Sequence, residues 1–187
     1  RIRQARFPAV KSLDSFDFAA IPSLNKTLVL ELARSEYVTR RENIIAVGNS
    51  GTGKTHIGLG LGLAACQKGL SVGFNTAAAL VHELLEARDE KRLLRLQRQL
   101  AGYKLLIIDE LSLRLAPTIV EQLLGIVRKI QESGTAIILV EQSINRILAA
   151  GACRGQGRAA GFQRRLVAAL GEAKAGFPLE AFIHPGF

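Results

Sequence analysis

The sequence predicts a three-layer α/β domain, a mainly parallel sheet flanked by helices, and three observations predict it. Short apolar runs of strand length, at residues 43–47, 70–74, 105–108 and 135–140, alternate with longer stretches of helical periodicity. A glycine-rich segment, residues 48–55, joins the first apolar run to the first long helical stretch. The third run ends on two adjacent carboxylates, Asp109 and Glu110, at the strand end where ligands collect in open α/β sheets.

Taken in order, residues 1–42 mix Arg and Lys with apolar positions, and Leu24, Leu28 and Leu32 recur at helical spacing, which predicts a short helix over 23–33. A buried strand follows at 43–47. The helix after the glycines runs over 54–68, with Gly69 as its C-terminal stop. A second strand is predicted at 70–74, helices at 77–87 and 90–100, and a third strand at 105–108. Pro117 suits the first turn of a helix that runs to about Ser133, Gly134 ends it, and a fourth strand covers 135–140. Strands separated by helical crossovers pair in parallel with helices covering both faces. From Arg146 onward the composition shifts to Ala, Gly and Arg; this tail is expected to be disordered, with Gln163 to Ala173 as its one helix-forming stretch. The chain therefore divides into an N-terminal helical or linker segment (1–42), a nucleotide-binding domain (43–145) and a tail (146–187).

Residues Gly48, Asn49, Ser50, Gly51, Thr52, Gly53, Lys54 and Thr55 fit G-x-x-x-x-G-K-[ST], the P-loop of nucleotide-binding proteins. Its small residues let successive backbone N–H groups turn inward around phosphate oxygens, and the helix that follows points its positive end at the anion. Lys54 is expected to reach the β and γ phosphates of ATP, and Thr55 to offer its hydroxyl to Mg²⁺. Asp109 completes the Mg²⁺ site, and Glu110 is placed to orient and polarise an attacking water, a role suited to hydrolysis. The fold class is thus a P-loop NTPase.

Bulk composition bounds the partners. With 187 residues and 48% apolar composition, the chain buries one substantial core. Its apolar runs fall short of the about 20 residues that span a bilayer, so no membrane insertion is expected. The start, Arg1 to Arg6, lacks the apolar stretch of a signal peptide, and the cytoplasm is the expected location. Cys66 and Cys153 offer neither a disulfide framework nor paired zinc spacing, and His56 and His82 have no metal-ligand partners at suitable spacing. The net charge of +9 suits a polyanion. Arg88, Lys91, Arg95 and Arg98 recur at spacings of three and four, which predicts one basic helix face able to track a DNA backbone.

At these residues the sequence resembles the IstB-like helper ATPases of bacterial insertion-sequence transposition, a branch of the AAA+ group related to replicative helicase loaders. The likeness runs from about Arg3 to Glu110. It is carried by Phe16-Asp-Phe18, Pro22-Ser-Leu-Asn-Lys26, Leu30-Glu-Leu-Ala33, Arg40-Arg-Glu-Asn43, the P-loop, and the stretches from Thr76 to Glu86 and from Ala87 to Leu94. The resemblance implies an ATP-dependent assembly that self-associates, binds DNA and directs a partner transposase, with Phe16 to Phe18 beside the adenine.

After Glu110 the likeness changes. Residues 111–124 and 134–143 resemble the ATPase subunit of branched-chain amino-acid ABC importers, which would place a D-loop at Ser112 to Leu115. Gln142 then falls where ABC ATPases carry a switch residue and AAA+ proteins a polar sensor, so both resemblances imply a γ-phosphate sensor and a catalytic role for it beside Glu110 and Lys54. No Leu-Ser-Gly-Gly-Gln-like signature precedes Asp109, and the AAA+ family's Asn-bearing sensor strand and trans-acting arginines have no counterpart after Glu110. Two resemblances and an unmatched tail together suggest a fusion of two coding fragments. Besides a transposition helper, the sequence leaves open an ABC transporter subunit and an ATP-binding module without hydrolysis.

Overall fold

The structure, a computed structural model, describes residues 2–89, 92–110 and 117–142 and the strand over 164–170. Five parallel strands form one sheet in the order β2-β3-β4-β1-β5. They are β1 (Asn43–Gly48), β2 (Val72–Thr76), β3 (Leu105–Asp109), β4 (Ala136–Glu141) and β5 (Arg164–Leu170). The helices are α1 (Lys26–Leu32), α2 (Glu36–Thr39), α3 (Lys54–Gln67), α4 (Ala77–Asp89), α5 (Leu93–Ala101) and α6 (Pro117–Glu132).

Alternation along the strands divides the core into two layers. Ile44, Ala46, Leu105, Ile107, Ala136, Ile138 and Val140 face α3 and the N-terminal segment. Ile45, Leu106, Ile108, Ile137 and Leu139 face α4, α5 and α6. Residues between two such layers are apolar on both sides, which is why the strands read as continuous runs rather than alternating ones. Register is pinned at the start of β1, where the buried Asn43 side-chain oxygen accepts the Ile137 backbone N–H of β4 at 2.9 Å.

Several elements differ from their sequence-based bounds, and three of the differences bear on the layout of the chain. Strand β2 begins two residues later than expected, because Gly69 (φ +81°) and Leu70 close α3: Gly69 N–H donates to the Cys66 carbonyl and Leu70 N–H to that of Ala65. This paired capping consumes the residues that the apolar pattern had assigned to the strand. Helix α5 starts at Leu93 rather than Glu90. The basic stripe is accordingly divided, with Arg88 on α4, Arg95 and Arg98 on α5, and Lys91 outside the described residues. Arg95 also shares its groove with Glu83 and Glu86 of α4, so this face is mixed in sign rather than uniformly basic.

The tail is the third difference. Residues 164–170, expected to be disordered or helical, form β5, paired in parallel with β1 from Asn43↔Arg164 onward. A short apolar run such as Leu166-Val167 is compatible with either periodicity, and the open edge of β1 supplies the backbone partners that select the strand. The other residues of the tail, and Ser112 to Leu115, lie outside the described residues.

The N-terminal segment packs along α3, which carries glycine at every second position from Gly58 to Gly62. Gly58 and Gly62 approach the sheet, at Val140 and Ile107, while Gly60 seats Leu13 and Gly62 also meets Phe7. A methyl group at Gly60 would lie 2.7 Å from Leu13 Cδ2 and 3.2 Å from its backbone nitrogen. Gly60→Ala is therefore expected to cost about 1–3 kcal/mol through overpacking. Urea denaturation measures this directly, and an unchanged midpoint would mean that the segment does not dock on α3.

Candidate functional site

Strand order builds the site. The P-loop follows β1 and the two carboxylates follow β3, while β4 lies hydrogen-bonded between them. All three C-terminal ends therefore open onto one cleft of about 290 Å³, lined by Ser50, Gly51, Gly53, Lys54, Thr55, Asp109, Glu110, Val140, Glu141 and Gln142. The P-loop, the acidic pair and Gln142, predicted separately from sequence, are brought together here.

Within the loop, Gly51 (φ +78°) and Gly53 (φ +79°) take left-handed conformations that residues with a Cβ adopt only with strain. Gly53 has a second constraint, since a Cβ there would lie 2.6 Å from Phe16 Cε2. The Asn49 carbonyl accepts the Thr52 hydroxyl at 2.7 Å and the Lys54 ammonium at 2.6 Å, so the lysine folds back over its own loop. Burial pulls the Lys54 pKa below its ordinary value, opposed by the charges of Asp109, Glu141 and Glu110.

Thr55 at the start of α3 donates its hydroxyl to Asp109 Oδ1 at 3.1 Å, joining loop and β3 across 54 residues of sequence. A hydroxyl and a carboxylate are hard oxygen donors, which suit Mg²⁺ held by few protein ligands together with phosphate oxygens. Burial raises the Asp109 pKa above its ordinary value; the hydrogen bonds from Thr55 and the Glu110 backbone and the charge of Lys54 oppose that shift, and Glu110 adds to it. A raised carboxylate pKa means that the folded state holds the proton more tightly than the unfolded chain. Stability is then lost as pH rises through the interval between the two pKa values. Asp109→Asn, which keeps an acceptor for Thr55, is accordingly expected to melt higher than the parent at pH 7 without nucleotide. The difference should shrink as pH falls toward the ordinary carboxylate range; thermal melts in which the variant unfolds first at pH 7 would contradict this.

Glu110 is exposed and sits at φ +57°, a left-handed conformation uncommon for a residue with a side chain. Nothing in the sequence signals this geometry. Gln142 is half-buried at the cleft wall, and its backbone N–H donates to Glu141 Oε1 at 2.7 Å. Glu141, which sequence reading passed over, is the buried residue of the pair.

The N-terminal segment reaches the same cleft. Phe16 packs edge-on against Phe18 and against His56, the residue after Thr55, with centroids 4.9 Å and 5.2 Å apart. His56 Nε2 lies 2.8 Å from the Ser12 carbonyl and 3.3 Å from the Ser15 hydroxyl, which ties the first turn of α3 to the N-terminal segment. Lys26 lies over the Phe18 ring, 5.3 Å from its centroid.

Known proteins place this arrangement. The model of the family described as IstB-like ATP binding protein matches residues 1–149, continuing through the stretch that also resembles ABC importers. A protein of insertion sequence IS21 from Pseudomonas aeruginosa, named for ATP binding, is 41% identical over 112 residues, 60% of this chain and 42% of its own length. A counterpart of insertion sequence IS5376 from Geobacillus stearothermophilus is 33% identical over 143 residues, 76% of this chain and 57% of its own. The chain thus spans about half the length of these relatives. Among solved structures, AMPPCP-bound DnaA from Aquifex aeolicus superposes with a TM-score of 0.57 at 22% identity, covering 73% of this chain and 42% of that one. The DnaC helicase loader superposes at 0.56 with 20% identity, covering 67% and 76%. These two share the fold, three-layer α/β of the P-loop type. With the P-loop, the acidic pair and four-fifths of its length within one family, the chain belongs to the IstB-like ATP-binding proteins.

Proposed function

We propose that this chain binds ATP with Mg²⁺ and hydrolyses it as a helper of insertion-sequence DNA transposition. The observation that carries the reading is the Thr55–Asp109 bond at 3.1 Å, which holds a hydroxyl and a carboxylate together at the foot of a phosphate loop. Backbone N–H groups of residues 48–53 would receive the phosphates, and Lys54 would exchange the Asn49 carbonyl for phosphate oxygens. Thr55 and Asp109 would hold Mg²⁺, which supplies charge neutralisation at the phosphates when bound. Glu110 would take a proton from the attacking water, and Gln142 would contact the terminal phosphate.

Support for a DNA partner comes from the net charge of +9 and from relatives named for insertion sequences. A transposase partner, self-association and a cytoplasmic setting belong to the same reading; among the described residues no helix is long and apolar enough to cross a membrane. In this reading residues 43–145 form the nucleotide domain and residues 1–42 the segment that reaches its P-loop. The test is ATP turnover by the purified chain, with and without duplex DNA, at low and moderate salt, with Lys54→Ala as blank. DNA-stimulated turnover that fades with salt is expected. ATP held without turnover under every condition would remove hydrolysis, and no binding of Mg-ATP would overturn the reading as a whole.

A further inference from the structure

Three carboxylates and one ammonium line the cleft: Asp109, Glu110 and Glu141 against Lys54. Asp109 and Glu110 have roles in the proposed chemistry; Glu141 has none. It is the last residue of β4, 1% exposed, and its Oε1 accepts the Gln142 backbone N–H, which fixes the carboxylate at the strand end. Register places it level with Val47 of β1, one residue before the P-loop begins. On its other side the β3–β4 ladder ends at Ile108↔Leu139, and the acidic pair follows at the end of β3. A buried anion thus stands between the loop and the acidic pair, on the central strand of the three that form the cleft.

A nucleotide bound by the P-loop brings its outermost phosphate toward that strand end, because loop and acidic pair lie on either side of it. A triphosphate places one more anionic group there than a diphosphate does. We propose that Glu141 sets the cleft's selectivity for the outermost phosphate, repelling a triphosphate more than a diphosphate and so making triphosphate binding depend on a divalent cation. This rests on the nucleotide-binding reading above.

The experiment measures affinities for ATP and ADP, each in Mg²⁺ and in EDTA, for the parent chain and for Glu141→Gln, Glu141→Asp and Glu132→Gln. Glutamine keeps the acceptor for the Gln142 N–H, and aspartate keeps the charge. Glu132 is an exposed carboxylate at the C-terminal end of α6, just before β4 begins and so toward the end of the strands opposite the cleft, and controls for net charge. In EDTA, Glu141→Gln is expected to tighten ATP on the order of tenfold, as removal of a like charge in a partly wet cleft predicts, with a much smaller change for ADP. Glu141→Asp should keep the parent's ATP-to-ADP ratio, and Glu132→Gln should change neither affinity. An unchanged ratio in Glu141→Gln overturns the proposal, as does an equal shift in Glu132→Gln. Weaker binding in both Glu141 variants would mark a structural role instead and also overturns it. Failure of the parent chain to bind either nucleotide in Mg²⁺ would overturn the nucleotide-binding reading itself, so the Mg²⁺ arm separates the two failures.

Discussion

Lys54→Ala is expected to weaken ATP binding by about 10²–10⁴-fold, the largest change in affinity that any single substitution in the cleft should produce. Two charge-assisted hydrogen bonds to phosphate at about 1.5–3 kcal/mol each account for that range. Fold stability should respond differently. The ammonium is buried, and burial depresses its pKa, so removing it relieves a desolvation penalty while giving up the bond to the Asn49 carbonyl. Titration calorimetry with Mg-ATP, beside a thermal melt of the nucleotide-free protein, separates the two effects. A variant that melts like the parent yet binds ATP equally well would exclude Lys54 as a phosphate ligand.

Glu110→Gln should leave ATP bound and slow its turnover by about 10²–10⁴-fold, the usual contribution of a positioned general base. Glutamine has the same Cβ and nearly the same shape, so the left-handed backbone at φ +57° is no more strained than before, and the fold should tolerate the change. Only the proton acceptor is lost. Single-turnover assays with labelled ATP would show bound, uncleaved nucleotide. Turnover at the parent's rate would remove Glu110 from the reaction and leave it as an exposed residue after a strand.

Much of the phosphate half of the cleft was legible beforehand because its chemistry is local. A loop of small residues between an apolar run and a helix constrains its own backbone, and Gly51, Gly53, Lys54 and Thr55 stand where eight consecutive residues require them. The three central strands were legible for a related reason, since burial on both faces leaves continuous apolar runs at 43–47, 105–108 and 135–140. The errors fell where local pattern was outweighed. Leu70 read as strand but caps α3, Arg92 read as helix although α5 begins only at Leu93, and residues 164–170 read as disorder or helix yet pair with β1. In the first and last of these cases the deciding partner is a backbone group that the segment's own composition does not reveal.

By itself, then, the sequence determined which groups this protein brings to the cleft: a glycine-rich P-loop, a threonine hydroxyl, and two carboxylates at the end of a strand. Only the tertiary structure decided how those pieces meet. The order β2-β3-β4-β1-β5 sets β4 between the strands that bear the loop and the carboxylates, and so brings Glu141 into the cleft as a third, buried anion. It also lays the N-terminal segment along the glycines of α3, with Phe16 against Gly53. The physical reason is that strand order and helix docking are settled by which faces bury one another across long stretches of chain. Periodicity within any one segment is blind to that.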